Sequence, residues 1–361
     1  MKYLLVFLFP LFFFKISTAQ SPLEFVKKYG SNFPTYTELS IAVINGEQIT
    51  FYGFIKKETG FEPKENKNSI FEIGSITKVF TSTLLADQVV KGKIKLEQTI
   101  KKSLPFKLKG RPKITFKTLA NHTAGLPRLP DNLFAMMANN PDNPYKGYNA
   151  QKLKEYCAKE LTLSSAIGEQ YAYSNLGAGL LGYALCQKTK QSYEDLLQTI
   201  VFEPLQMNHS TTLRDSVKGT FIKGLDPTGS VTSNWDLEVL APAGNILSSV
   251  RDLSKFVRAN FEIKNKVFAL QQTKTHTIGE KMDIALGWHI IHAKSGANYH
   301  WHNGGTGGYT SSMIMDVPNQ KGIVILSNVS AFHSQTGNID RLAFEWMKKI
   351  ADVSPKEKTS R

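Results

Sequence analysis

Phe71-Glu72-Ile73-Gly74-Ser75-Ile76-Thr77-Lys78 marks the point where the chain changes its period. Beyond it Val79, Leu84, Leu85, Val89 and Val90 recur at helical spacing, which predicts a helix opening near Ser75. Before it, Glu38 to Ile44 and Gln48 to Phe54 read as strands around Asn45-Gly46, a two-residue hairpin signal, and Leu23 to Lys28 closes a short helix. From about Leu96 to Leu240 the pattern is helix and loop, with connections at Pro127, Pro130, Pro141 and Pro144. Strand character returns at Tyr299 to Trp301, Ser311 to Asp316 and Gly322 to Ser327, the last two joined by Pro318-Asn319-Gln320. Ile339 to Ile350 is an amphipathic helix, and Lys356 to Arg361 a polar tail. Strands at both ends bracket a helical middle. That order predicts an α/β fold with a mainly antiparallel sheet built from N- and C-terminal strands, flanked by helices, plus an all-α lobe. The α/β part covers about 20–90 and 240–355 and the lobe about 91–239.

Composition agrees with one large globular unit. The 361 residues are 41% hydrophobic and 11% aromatic, too apolar for a disordered chain. Gly 26 and Pro 15 exclude a collagen-like reading, and two cysteines are too few for a disulfide scaffold or a cysteine-built zinc site. Lys+Arg 44 against Asp+Glu 30 gives +14, which favours anionic partners without naming one. Lys2, the apolar run Tyr3 to Phe14 and the small residues Ser17-Thr18-Ala19 have the layout of a signal peptide over 1–19, cleaved after Ala19. An exported protein is expected, periplasmic or secreted, monomeric and without a stable membrane anchor after cleavage. Cys157 and Cys186 fit either a pair or two free thiols in that compartment. Gly304 to Gly308 lacks the Lys-Ser/Thr ending of a phosphate loop, and the basic residues are scattered, so no nucleotide or nucleic acid is expected.

The chemistry begins at Ser75. On a helix, Lys78 at i+3 shares its face and can reach the hydroxyl, and a desolvated lysine can take a serine's proton. Gly74 permits a tight strand-to-helix turn, and the helix start offers positive potential where an oxyanion would form. Tyr173-Ser174-Asn175 lies downstream in the helical lobe. A phenol near cations can shuttle protons, and the Asn175 amide can bind a carbonyl. His302-Asn303-Gly304-Gly305 sits on or just after a late strand whose glycines let a substrate backbone lie alongside. His122 reads as a hydrogen-bonded structural histidine. His300 and His302 lack an accompanying carboxylate motif, so neither a metal nor another cofactor is expected.

These three elements resemble those of the penicillin-recognising serine enzymes. The Tyr-x-Asn form is similar to the class C β-lactamase and serine DD-peptidase branch. Flanking strings agree, namely Phe71 to Gly74, Leu119-Ala120-Asn121-His122-Thr123-Ala124-Gly125-Leu126-Pro127 and Ala241-Pro242-Ala243-Gly244. The resemblance runs from about residue 35 to 350 and implies a β-lactamase-like sandwich. It implies Ser75 as the acylated nucleophile, Lys78 in its activation and Tyr173 as general base or acid. It gives Asn175, His302, Asn303 and Gly304 to substrate binding, and the N–H groups of Ser75 and Gly305 to the oxyanion hole. The implied substrate is a β-lactam, a D-Ala-D-Ala-type amide or another small or peptidoglycan-derived molecule.

Two departures bear on the substrate. His302-Asn303 stands where efficient class C enzymes carry Lys-Thr or Lys-Ser, and Thr77 replaces a smaller residue. A histidine with an ordinary pKa of about 6.5 would carry part of the carboxylate-gripping charge near neutrality. An esterase or D-aminoacyl hydrolase built on the same residues is the alternative. A non-catalytic penicillin-binding relative fits less well, because Ser75, Lys78 and Tyr173 are all present. No GxSxG elbow and no SDN string between Ser75 and Tyr173 occur, against an α/β-hydrolase or a class A enzyme.

Overall fold

The computed structural model describes residues 21–352; the signal peptide expected over 1–19 and the polar tail 356–361 lie outside the described residues. Its frame is a nine-stranded antiparallel sheet ordered β3-β2-β1-β11-β10-β9-β8-β7-β6. The N-terminal strands are β1 (Glu38–Asn45), β2 (Gln48–Lys57) and β3 (Gly60–Pro63). The C-terminal ones are β6 (His276–Gly279), β7 (Met282–Ile284), β8 (His289–His292), β9 (Asn298–Gly305), β10 (Thr310–Asp316) and β11 (Lys321–Ser327). A separate two-stranded ladder joins β4 (Phe71–Glu72) to β5 (Leu247–Ser248). Pairing of β1 with β11 closes the two ends of the chain into one sheet, as the strand order predicts. The first hairpin pairs Asn45 with Gln48, and Gly46 takes φ +59 at its tip.

Both faces of the central strands are covered, which is why β10 and β11 are buried along their whole length and β11 carries the unbroken apolar run Ile323 to Leu326. On one face Ile41, Ile314, Ile323 and Ile325 meet the N-terminal helix (Pro22–Gly30) and the C-terminal helix (Asn338–Asp352). Trp346 stacks there on Phe25 and Tyr52, with centroids 5.8 and 5.6 Å away. The opposite face, with Ala42, Ile44, Met313 and Val324, joins the larger core shared with the helical lobe. Each fully buried side chain of this kind contributes roughly 1.5–3 kcal/mol.

The helix carrying Lys78 (Thr77–Val90) runs through that larger core, so nearly all of it is buried and Phe80 stacks on Phe256 at 4.2 Å. The longest helix of the lobe (Asn175–Thr189) packs closely on the turn Glu238–Ala243. A Cβ on Gly182 would meet the Pro242 ring at 2.2 Å, so only glycine admits this approach. The packing places the Ala243 carbonyl beside Lys78. Cys157 and Cys186 are both free thiols, and burial pushes the Cys157 thiol up to about 12.

Candidate active site

Ser75 lies in a 3-10 turn (Gly74–Ile76) between β4 and the Thr77–Val90 helix. Gly74 has φ +52, and a Cβ there would fall 2.6 Å from the Gly305 nitrogen. The residue must therefore be glycine on two counts, left-handed backbone and space. Gly304 abuts the same turn, since its Cβ would reach the Ile73 carbonyl at 1.9 Å. The turn bearing Ser75 and the end of β9 are thus fitted backbone to backbone, with Gly74 against Gly305 and Ile73 against Gly304.

Lys78 answers the spacing argument directly. Its Nζ is 3.0 Å from Ser75 Oγ and donates to the Ala243 carbonyl at 2.6 Å. The side chain is only 2% exposed. Burial, and secondarily repulsion from Arg128, holds its pKa well below the lysine range, so a neutral amine is accessible. Tyr173 lies beside Ser75 in the same cleft. Its ring centroid lies 4.7 Å from Lys78 Nζ and 5.0 Å from the Arg128 guanidinium. Burial raises the phenol pKa, against the hydrogen bond from Ser75 and the charge of Arg128, so Tyr173 rests protonated. Lys78 is then the group able to accept a proton, and Tyr173 the group able to relay one.

The turn bearing Tyr173 is held by His122, the histidine read as structural. His122 Nδ1 accepts the Ser174 N–H at 3.2 Å, and its ring lies 4.7 Å from that of Tyr173. Burial, then the nearby Lys78 and His289, keeps it neutral, which an accepting Nδ1 requires. Ser174 caps the following helix by accepting from Gly177 N–H at 2.8 Å. Asn175 opens that helix. Its Nδ2 donates to Tyr145 Oη at 3.3 Å, while its Oδ1 is buried without a partner.

The third element needs a correction. His302 does not face the cleft as a partly charged carboxylate reader; it is 1% exposed and lies beneath it. Its Nδ1 is 2.6 Å from the Asn303 carbonyl, which fixes Nδ1 as the protonated nitrogen and leaves Nε2 as an unpartnered acceptor. Burial first, then His289 and Lys78, depresses its pKa well below the ordinary value. The period of two along β9 explains the error, since His300 and His302 face the core while Trp301 and Asn303 face the other way. Asn303 and Gly304 do line the cleft, but Asn303 Nδ2 is spent on Asp340 at 2.7 Å.

The cleft of about 470 Å³ contains Ser75, Tyr173, Gly304 and Gly305 at its floor. Arg128, Tyr171, His289, Trp301, Asn303 and Asp340 also line it, with the His289 and Trp301 rings 5.5 Å apart. β8 pairs with β9 only as far as Trp301, so His302 to Gly305 present an edge that is unpaired opposite β10. His289 and Tyr171 share a 2.7 Å hydrogen bond, and burial brings the His289 pKa down to about 4. Arg128, Tyr145, Tyr171, His289 and Asp340 escape a reading by motif. Arg128 directly follows the Leu126-Pro127 string and was findable by position, whereas Asp340 is one acid among the polar residues of an amphipathic helix.

A family model described as Beta-lactamase matches residues 32–345. The chain belongs to the β-lactamase family. Among relatives, Protein flp of Staphylococcus aureus strain MW2 is 25% identical over 309 residues, 81% of this chain and 59% of its own length. A Beta-lactamase from Providencia stuartii is 27% identical over 62% of this chain and 55% of its own length, so the chain spans less than two thirds of either. A Beta-lactamase from Pseudomonas fluorescens is 30% identical, over 70% and 69%. The fold superposes on a β-lactamase/D-alanine carboxypeptidase from Pseudomonas syringae with TM-score 0.72, at 21% identity, covering 92% of this chain and 99% of that one. An octameric penicillin-binding protein homologue from Pyrococcus abyssi gives 0.74 at 23% identity, covering 93% and 77%. The β-lactamase-like sandwich that the resemblance implies is the fold of this protein.

Proposed function

We propose that this β-lactamase-family chain is an exported serine hydrolase of the class C type, working through an acyl-serine at Ser75. The observation that carries the reading is the buried Lys78 amine 3.0 Å from the Ser75 hydroxyl and 4.7 Å from the centroid of the Tyr173 ring. The neutral amine takes the Ser75 proton as Oγ attacks a carbonyl carbon. The oxyanion forms between the N–H groups of Ser75 and Gly305, whose closeness is enforced at Gly74. The proton passes from Lys78 by way of Tyr173 to the leaving nitrogen or oxygen as that bond breaks. Water then repeats the sequence on the ester, returning the proton to Ser75. Asn175, Asn303 and the unpaired edge of β9 hold the substrate in this scheme.

β-Lactams and D-alanyl peptides are the first substrates to try. The ester or D-aminoacyl reading is favoured by one observation, the neutral and buried His302 in place of a strand cation. Intact-protein mass spectrometry over time, after a penicillin, a D-Ala-D-Ala peptide and a p-nitrophenyl ester, tests the proposal. An adduct that forms on wild type and not on Ser75→Ala is expected with at least one of them. Hydrolysis undiminished in Ser75→Ala would end it.

A further inference from the structure

Asp340 stands in the first turn of the C-terminal helix and lines the cleft beside Asn303 and Trp301. Its Oδ1 accepts from Ser312 Oγ at 2.7 Å and Trp301 Nε1 at 3.3 Å, and its Oδ2 accepts from Asn303 Nδ2 at 2.7 Å. Trp Nε1 and Asn Nδ2 can only donate, so both carboxylate oxygens act as acceptors. These three neighbours are uncharged, so no cation meets the carboxylate through these hydrogen bonds, which oppose the rise in its pKa that burial causes. Beside it lies the indole of Trp301, held between His289 at 5.5 Å and Phe344 at 5.8 Å. The same cleft also holds the exposed Arg128, whose guanidinium lies 5.0 Å from the centroid of the Tyr173 ring.

Building on the acyl-serine reading above, we propose that Asp340 sets the charge specificity of this site. The part of the substrate that lies along the outer wall of β9 carries an amine or is uncharged, and a carboxylate there is refused. The hydrogen bonds hold Asp340 in place, and Asp340→Asn keeps its shape while removing the charge.

The test uses phenylboronic acids bearing an aminomethyl, a methyl or a carboxyl group, as meta and para isomers. The Ser75 oxygen adds to boron and releases its proton, giving a tetrahedral adduct without any turnover. Affinity is read from tryptophan fluorescence, since Trp301 lines the site. At low salt the aminomethyl probe is expected to bind about tenfold more tightly than the methyl probe, and the carboxyl probe about tenfold more weakly. Each probe's affinity is taken as the ratio of wild type to Asp340→Asn, which cancels electronic differences among the probes. That ratio should be about tenfold above that of the methyl probe for the aminomethyl probe and about tenfold below it for the carboxyl probe. The wild-type order should shrink as salt rises, a readout that needs no variant. A ratio that is the same for all three probes at low salt would overturn the proposal. Unchanged adduct formation in Ser75→Ala would instead count against the nucleophile and leave the charge order to be judged by itself.

Discussion

The Lys78 amine lies 3.0 Å from the Ser75 hydroxyl, and its other contact is a carbonyl, that of Ala243 at 2.6 Å. A base held by neutral groups and repelled by Arg128 gives up its proton readily. The acylation rate is therefore expected to rise with pH to a plateau reached well below the pH at which an ordinary lysine loses its proton. Lys78→Arg, permanently protonated, should lose about three orders of magnitude in kcat while remaining folded. Stopped-flow acylation against pH checks both; a limb at the ordinary lysine value would show that burial does not tune the amine.

Gly74→Ala should be damaging out of proportion to its size. The left-handed backbone costs about 1–2 kcal/mol for a residue with a Cβ. The added carbon would also press on Gly305 at 2.6 Å and part the two oxyanion donors. Loss of one such donor lowers kcat by about a hundredfold or more. Denaturant unfolding alongside kcat separates the two effects, and a variant with near-normal turnover would show that Gly305 is not part of the hole.

His302 should be neutral and protonated at Nδ1 throughout the range from pH 8 to 6. Its folded pKa lies below the unfolded value of about 6.5, so the unfolded chain binds a proton that the folded one does not. The resulting stability is present above that value and is lost as pH falls toward the folded pKa. Melting temperature should drop on acidification, and His302→Gln should make that drop shallower, with His122 and His289 supplying the remainder. Histidine nitrogen NMR reads the tautomer. Titration of His302 near pH 6.5 would restore it as a charge reader.

Much of this arrangement was legible from residue order. The hairpin at Asn45-Gly46, the late strands and the pairing of chain ends follow from period and turn chemistry. Ser75 and Lys78 meet because i and i+3 share a helical face. The short strands β6 to β8 were not foreseen, since three or four residues are too few for alternation to register and their pairing depends on β9. His302 illustrates the other limit. Which face of β9 it takes is decided by register, and its charge by burial, and neither is written in the motif. Asp340 comes to the cleft through tertiary packing alone, from a helix far along the chain.

The measurement that bears most directly on the central claim is peptide mapping of the acyl adduct in wild type, Tyr173→Phe and Ser75→Ala after one turnover with an activated ester. The account predicts the acyl group on the peptide containing Ser75 in wild type, transiently. It predicts a longer-lived adduct on the same peptide in Tyr173→Phe, with deacylation slowed about a hundredfold or more, and none in Ser75→Ala. An adduct mapped to any other residue, or turnover retained in Ser75→Ala, would contradict it.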